Sequence, residues 1–217
     1  MNCSLLAAVA PKRVAVPNIV NRASSVLGFV LLIQLALSMC IAQKVGCPGV
    51  DYPAWESSPY ILPFAVGETY RVELANCSSS YHSEQYPDKF AYDFVMEIGT
   101  PITASRAGTV IFIEESGVDF NQPNNLVVVD HGDNTFAEYM HLTQGGAAVA
   151  VGDEVAQGDL IGYSGATGLA GYPHLHFIVV KDDPRWPYEA IPVTFSNTAA
   201  NLRGLSSFTD YEALPYE

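Results

Sequence analysis

Short apolar segments rich in β-branched and aromatic residues follow one another from about Phe90 to Lys181. Turn-forming residues separate them, as in Gly99-Thr100-Pro101 and His131-Gly132-Asp133-Asn134. Short strands with turn signals between them are typical of all-β domains. No stretch of the sequence keeps a 3.6-residue apolar period over three turns, which disfavours a helical domain. The sequence predicts strands in AYDFVM, PITA, GTVIFIEE, NLVVVD, TFAEYMHL (Thr135–Leu142), DLIGYS and HLHFIVVK.

An internal similarity refines this fold prediction. Residues 96–110 resemble residues 150–162, because in both an apolar residue precedes a Gly, a polar turn follows, and a second Gly introduces a strand. Two such hairpins packed face to face predict a compact antiparallel β-sandwich with a duplicated hairpin motif. Chance similarity between Gly-rich hairpins is the alternative.

The first 42 residues predict a signal peptide. An apolar run at residues 26–42 follows a basic stretch, the layout of a secretory signal, and predicts export to the periplasm or the extracellular space. An uncleaved signal that anchors the chain in a membrane is one alternative. Lipoprotein processing at Cys40 is another, although Met39 is bulkier than the usual residue before such a cysteine.

The segments that flank the predicted β domain contain few regular patterns. Residues 43–80 hold several prolines and predict a loop-rich lead-in. Cys47 and Cys77 are the cysteines outside the predicted signal, and export permits a disulfide between them, two free buried thiols being the alternative. Residues 184–217 predict one strand at Ile191–Phe195 and an irregular tail.

Charge excludes one class of function. The whole chain has a formal net charge of −13. Three of its ten basic residues and none of its 23 acidic residues lie in the first 42 positions, so residues 43–217 carry a net charge of −16. Nucleic-acid binding needs clustered Lys and Arg, and this composition excludes it.

The histidines and one aspartate point to chemistry. His174 and His176 bracket Leu175 in a strand, so both imidazoles project from the same face. Asp93 lies between aromatic residues, where a buried carboxylate needs Arg106, Lys89 or a metal as its partner. Together with His82, these residues could form a site of three ligands, one carboxylate and two imidazoles. Such a site has an open fourth position, as in catalytic zinc sites. A purely structural role for the histidine pair is the alternative.

The chain resembles the lysostaphin/LytM-type zinc metallopeptidases over about residues 80–182. The resemblance rests on His82 and Asp93, on Tyr139-Met140-His141-Leu142, and on Gly162–Gly168 followed by Pro173-His174-Leu175-His176-Phe177. It implies a zinc peptidase domain at residues 81–183 with a compact antiparallel β fold. It also implies hydrolysis of peptide bonds in bacterial peptidoglycan, with peptide stems or cross-bridges as the substrate.

The resemblance implies a role for each site residue. His82, Asp93 and His176 correspond to the Zn²⁺ ligands, whereas His141 and His174 correspond to the unliganded pair that handles the proton and the developing charge. The implied reaction is attack on the peptide carbonyl by a metal-bound water.

Two positions depart from the family pattern. The first histidine commonly lies four residues before the aspartate, where this chain has Lys89, so His82 must act across a longer interval. The last motif often continues with Glu, where this chain has Ile178, which removes an expected hydrogen bond near the metal. His131 lies in a turn and is interpreted as a solvated turn residue.

Three other functions have partial support in the sequence. A catalytically silent regulator of other cell-wall hydrolases would share the fold, but all five expected side chains have candidates here. A biotinyl- or lipoyl-type carrier needs a Lys at its hairpin tip, and no Lys occurs between Lys89 and Lys181. A carbonic-anhydrase-like site of three histidines would leave Asp93 without a role.

Overall fold

The computed structural model describes residues 46–217, and the predicted signal peptide lies outside the described residues. Within this part of the chain, regular structure consists of β-strands and three short 3-10 helices, at Trp55–Ser57, Ser80–His82 and Pro87–Phe90. None of these helices has the length and apolar character that a membrane span requires. The strands are β1 (Thr69–Leu74), β2 (Tyr92–Val95), β3 (Pro101–Thr103), β4 (Gly108–Glu114), β5 (Leu126–Asp130), β6 (Thr135–Met140), β7 (Leu142–Ala147), β8 (Glu154–Val155), β9 (Leu160–Ser164), β10 (His174–Lys181), β11 (Glu189–Ala190) and β12 (Thr209–Glu212).

The strands form two antiparallel sheets, which confirms the all-β class. The main sheet has the order β12-β1-β2-β10-β6-β5-β4-β8, and β11 also pairs with β10. The small sheet has the order β3-β9-β7. Strand β10 therefore lies between β2 and β6, near the middle of the main sheet.

The strands of the two similar hairpin units pair with each other. β3 and β4 come from the first unit, and β8 and β9 come from the second. β3 pairs with β9 in the small sheet, and β4 pairs with β8 in the main sheet. The turns of the second unit also match each other, because the side chains of Asp153 and Asp159 each accept a hydrogen bond from the backbone N–H three residues earlier, both at 2.8 Å. Each strand of the first unit thus pairs with one strand of the second.

Alternation along the central strands separates the core from the face that carries the histidines. One face of β2, β6 and β10 packs into the main hydrophobic core through Tyr92, Phe94, Ala137, Tyr139, Leu175, Phe177 and Val179. The intervening residues of the same strands point to the opposite face, since neighbouring side chains of a strand alternate. That second face carries His174 and His176, as the spacing around Leu175 predicted, and it also carries Asp93, which lies opposite His176.

The flanking segments each contribute to the main sheet. β1, from the predicted lead-in, pairs with β2, and β12, from the predicted tail, pairs with β1. The predicted strand at Ile191–Phe195 is wrong, because strand pairing in this region is limited to β11 at Glu189–Ala190. The N–H of Ile191 still donates to the carbonyl of Val179, but the next facing residue of β10, Phe177, already pairs with Tyr92 of β2, so pairing ends there.

Cys47 and Cys77 form a disulfide, as the sequence predicted, and it joins two points 30 residues apart. Replacing both cysteines with serine is expected to lower the free energy of unfolding by about 3 kcal/mol, since the cross-link removes loop entropy from the unfolded chain. Urea unfolding of the purified protein measures this change. The wild type under reducing conditions should match the double variant, and an unchanged unfolding midpoint in both would contradict the prediction.

Candidate metal centre and active site

Asp93 and His176 face each other across two neighbouring strands. In the antiparallel register of β2 and β10, His176 lies directly opposite Asp93. Directly opposite residues on one face bring their side chains together. Nδ1 of His176 is 2.8 Å from Oδ1 of Asp93, and both side chains are buried.

A folded-back loop brings His82 to the same carboxylate. His82 ends the 3-10 helix Ser80–His82, and its side chain is 2% exposed. Its Nε2 lies 3.2 Å from Oδ1 of Asp93. The loop closes through a hydrogen bond from the N–H of Cys77 to the carbonyl of Lys89, at 2.7 Å, and the disulfide fixes Cys77. His82 thus reaches Asp93 without occupying position 89.

The structure settles which groups meet the buried carboxylate of Asp93. Arg106 pairs instead with Asp133 at 2.7 Å, and Lys89 lies over the ring of Phe90. Burial raises the pKa of Asp93, but hydrogen bonds from His176 and His82 outweigh burial and hold this pKa well below its usual range. Asp93 is therefore a carboxylate at neutral pH, and its partners are imidazoles.

His176 has the opposite electrostatic balance. Burial lowers the pKa of His176, but the nearby carboxylates of Asp88 and Asp93 outweigh burial and raise this pKa to about 10. In the absence of a metal, the ring of His176 is therefore protonated at neutral pH. Metal binding must displace this proton, because an imidazole binds a metal through a deprotonated nitrogen.

His141 and His174 form a second pair of imidazoles beside the first group. Their ring centroids are 4.7 Å apart. Nδ1 of His141 contacts the carbonyl of Thr167 at 2.7 Å, and Nδ1 of His174 contacts the carbonyl of Tyr172 at 2.8 Å. A carbonyl only accepts, so each Nδ1 carries the hydrogen and each Nε2 keeps a free lone pair. Burial lowers both pKa values, to about 3 for His141, so both rings are neutral at neutral pH.

His141 lies at a break between two strands that the sequence did not indicate. The predicted strand Thr135–Leu142 is wrong in this respect, because β6 ends at Met140 and β7 begins at Leu142 in the other sheet. His141 has a φ of 65°, a left-handed conformation that is uncommon outside glycine. Its N–H donates to the side chain of Asn124 at 3.0 Å, which stabilises the break. The break turns the His141 ring toward His174.

The donor atoms form two overlapping candidate metal sets. In one, a ligand atom from each of His82, Asp93 and His176 lies within 4.8 Å of the others. In the other, the same holds for His141, His174 and His176. The first set fits a divalent cation better, since it brings a buried negative charge to two imidazoles and Asp93 has no Lys or Arg partner among the described residues.

All five of these side chains line one cavity of about 680 Å³. Aromatic rings border it, among them Tyr81, Tyr86, Tyr172, Trp186 and Tyr188. Two carboxyl groups that the sequence analysis did not single out also line it, those of Asp88 and Glu138. Burial raises the pKa of Glu138 to about 8. No local motif marks these residues, because tertiary packing brings them to the site from separate segments.

His131 lies apart from this site, but its predicted solvation is wrong. Its ring is partly buried and packs against the ring of Tyr60 at a centroid distance of 5.5 Å. Its Nδ1 contacts the hydroxyl of Thr135 at 3.0 Å. His131 is a structural residue of the turn between β5 and β6.

A sheet face that presents a carboxylate and clustered imidazoles to a groove is the layout of a metallopeptidase, and the sequence comparisons give the same class. Residues 88–187 match Peptidase family M23. The match includes Asp93, His141, His174 and His176, whereas His82 lies before its first residue.

Two named relatives illustrate the sequence similarity. The glycyl-glycine endopeptidase ALE-1 of Staphylococcus capitis is 34% identical over 110 residues, which are 48% of this chain and 29% of the relative. The peptidoglycan DD-endopeptidase ShyA of Vibrio cholerae is 38% identical over 95 residues, 42% of this chain and 20% of the relative. The chain thus spans less than a third of the length of either. The solved structure of lysostaphin from Staphylococcus simulans aligns with 57% of this chain and 47% of its own, at 28% identity and a TM-score of 0.45.

Proposed function

We propose that this chain is a zinc-dependent endopeptidase that hydrolyses peptide bonds in bacterial peptidoglycan. The observation that carries the proposal is the meeting of five buried side chains in one groove. Asp93 lies between His82 and His176, and two neutral imidazoles lie beside them with free Nε2 atoms. The match of residues 88–187 to Peptidase family M23 supports the same reading.

The proposed zinc ligands are His82, Asp93 and His176. Two imidazole nitrogens and one carboxylate oxygen are donors that suit Zn²⁺, and three protein ligands leave a position for solvent or substrate. When bound, zinc supplies a Lewis acid that polarises a carbonyl and lowers the pKa of a bound water toward about 7.

The chain's own contribution to catalysis is proton transfer and orientation. Nε2 of His141 or of His174 accepts a proton from the attacking water and, once protonated, donates to the leaving amine. The other imidazole can stabilise the oxygen that becomes negative in the transition state only when its Nε2 is also protonated, so that the ring acts as an imidazolium donor. The carbonyls of Thr167 and Tyr172 keep the two rings oriented for these roles, because each binds the Nδ1 hydrogen.

Peptidoglycan is proposed as the substrate on the names of the relatives. ShyA is a peptidoglycan DD-endopeptidase and ALE-1 is a glycyl-glycine endopeptidase, so both kinds of bond are candidates here. We place the activity outside the cytoplasm, because the disulfide between Cys47 and Cys77 needs an oxidising compartment and the first 42 residues have the layout of a signal.

The proposal predicts zinc-dependent release of peptides from cell walls. The purified full chain is expected to contain about one zinc per molecule and to release soluble fragments from peptidoglycan that carries direct or glycine-bridged cross-links. A chelator should abolish release, and added Zn²⁺, but not Mg²⁺, should restore it. Protein that holds zinc and digests neither wall type would contradict the enzymatic proposal and favour the silent regulator.

A further inference from the structure

The two ring nitrogens of His176 face two different carboxylates. Nδ1 lies 2.8 Å from Oδ1 of Asp93, on the side of the proposed ligands, so Nδ1 is the atom available to a metal held there. Nε2 points the other way and lies 3.7 Å from Oδ1 of Asp88. These two atoms are within ion-pair distance, and the contact is longer than a hydrogen bond.

Asp88 is itself held in place from a distant part of the chain. It lies on the 3-10 helix Pro87–Phe90, and its side chain is 15% exposed. The hydroxyl of Tyr188, 100 residues further along, donates a short hydrogen bond to the same oxygen of Asp88. Tyr188 directly precedes β11, which pairs with β10, the strand of His176. The fold thus assembles an ordered contact from Tyr188 through Asp88 to His176.

Among the described residues, Asp88 is the carboxyl group that pairs with Nε2 of His176. The family resemblance leads one to expect a Glu two residues after His176, and Ile178 offers no hydrogen-bond acceptor. Glu138 lies opposite Ile178 in the register of β6 and β10 and has a buried Oε1 without a hydrogen-bond partner. Within the part of the chain that the structure describes, Glu138 forms no ion pair with His176, whereas Asp88 does.

We propose that Asp88 is a positioning residue that accepts the Nε2 hydrogen of His176, with Tyr188 holding the Asp88 carboxylate in place. This inference rests on the proposed function, in which His176 is a zinc ligand. A carboxylate that accepts the second ring hydrogen of a metal-bound histidine fixes the tautomer and the ring orientation and strengthens the ligand. Asp88 therefore acts on the metal through His176 without contacting it.

Zinc affinity of the full chain tests the role of Asp88. Asp88→Asn is expected to raise the dissociation constant for Zn²⁺ about 10- to 100-fold, measured by competition with a chromophoric chelator. Tyr188→Phe removes no charge and is expected to raise the dissociation constant for Zn²⁺ by a smaller factor. Asp210→Asn removes a carboxylate from an exposed position on β12, outside the cavity, and serves as the matched control, with an affinity within about twofold of the wild type. The unfolding midpoint of each metal-free variant shows whether its fold is retained.

Cobalt substitution gives a readout that does not depend on activity or on total charge. In the wild type loaded with Co²⁺, the Nε2 hydrogen of His176 is expected as a shifted, slowly exchanging proton resonance, and in Asp88→Asn it should exchange with solvent faster. Unchanged zinc affinity and unchanged exchange in Asp88→Asn would overturn the inference while leaving the proposed function intact. Complete loss of metal, as for a ligand variant, would overturn it too, because Asp88 would then be a ligand. A wild type that binds no zinc overturns the proposed function and this inference together.

Discussion

Asp93→Asn is expected to abolish stoichiometric zinc binding and to lower the rate of peptidoglycan hydrolysis at least about a thousandfold. The substitution keeps the shape of the side chain but removes the one negative charge that both His82 and His176 contact. Loss of roughly 4 kcal/mol of transition-state stabilisation corresponds to a thousandfold loss of rate. Metal analysis after gel filtration and a fragment-release assay measure the two effects.

Two further variants make this result specific. Asp210→Asn removes one charge from an exposed position on β12, far along the main sheet, and should keep both zinc and activity. His82→Ala should behave like Asp93→Asn, which tests the ligand that lies outside the family match. Full zinc content in His82→Ala would place the metal on the other donor set, formed by His141, His174 and His176.

Alternation and local chemistry made much of the fold and part of the site predictable. The pattern around Leu175 predicted that His174 and His176 share a face, and a carboxylate between aromatic residues predicted a buried charge that needs a partner. The structure places Asp93 opposite His176 in the register of two strands. The metal and catalytic roles of these residues stay predictions.

What the sequence did not reveal depends on contacts between distant segments. The left-handed conformation of His141 carries no Gly or Pro signal, so the strand before it was predicted too long. Asp88 and Tyr188 meet across 100 residues, and neither belongs to a motif. β12 was missed because its four residues, Thr209–Glu212, show no strong alternation and are held by pairing with β1.

His141→Ala and His174→Ala are expected to retain zinc and to lower kcat about 10²- to 10⁴-fold, with little change in KM. Both rings are neutral at neutral pH and present a free Nε2 beside the proposed ligands, so each variant removes a proton-transfer or hydrogen-bonding group and leaves His82, Asp93 and His176 in place. Zinc content and initial rates on a soluble cross-linked peptide, measured over a range of substrate concentrations, separate the two properties.

His131→Ala is the matched histidine control for these variants, since His131 packs against Tyr60 and lies outside the cavity. It should keep both zinc and kcat, which would show that loss of activity follows from the position of the imidazole and not from removal of any histidine. Because His141 and His174 act on the same transition state, the double variant should lose less than the product of the two single effects. Zinc loss from either single variant, or full activity in both, would contradict the assignment of this pair to catalysis.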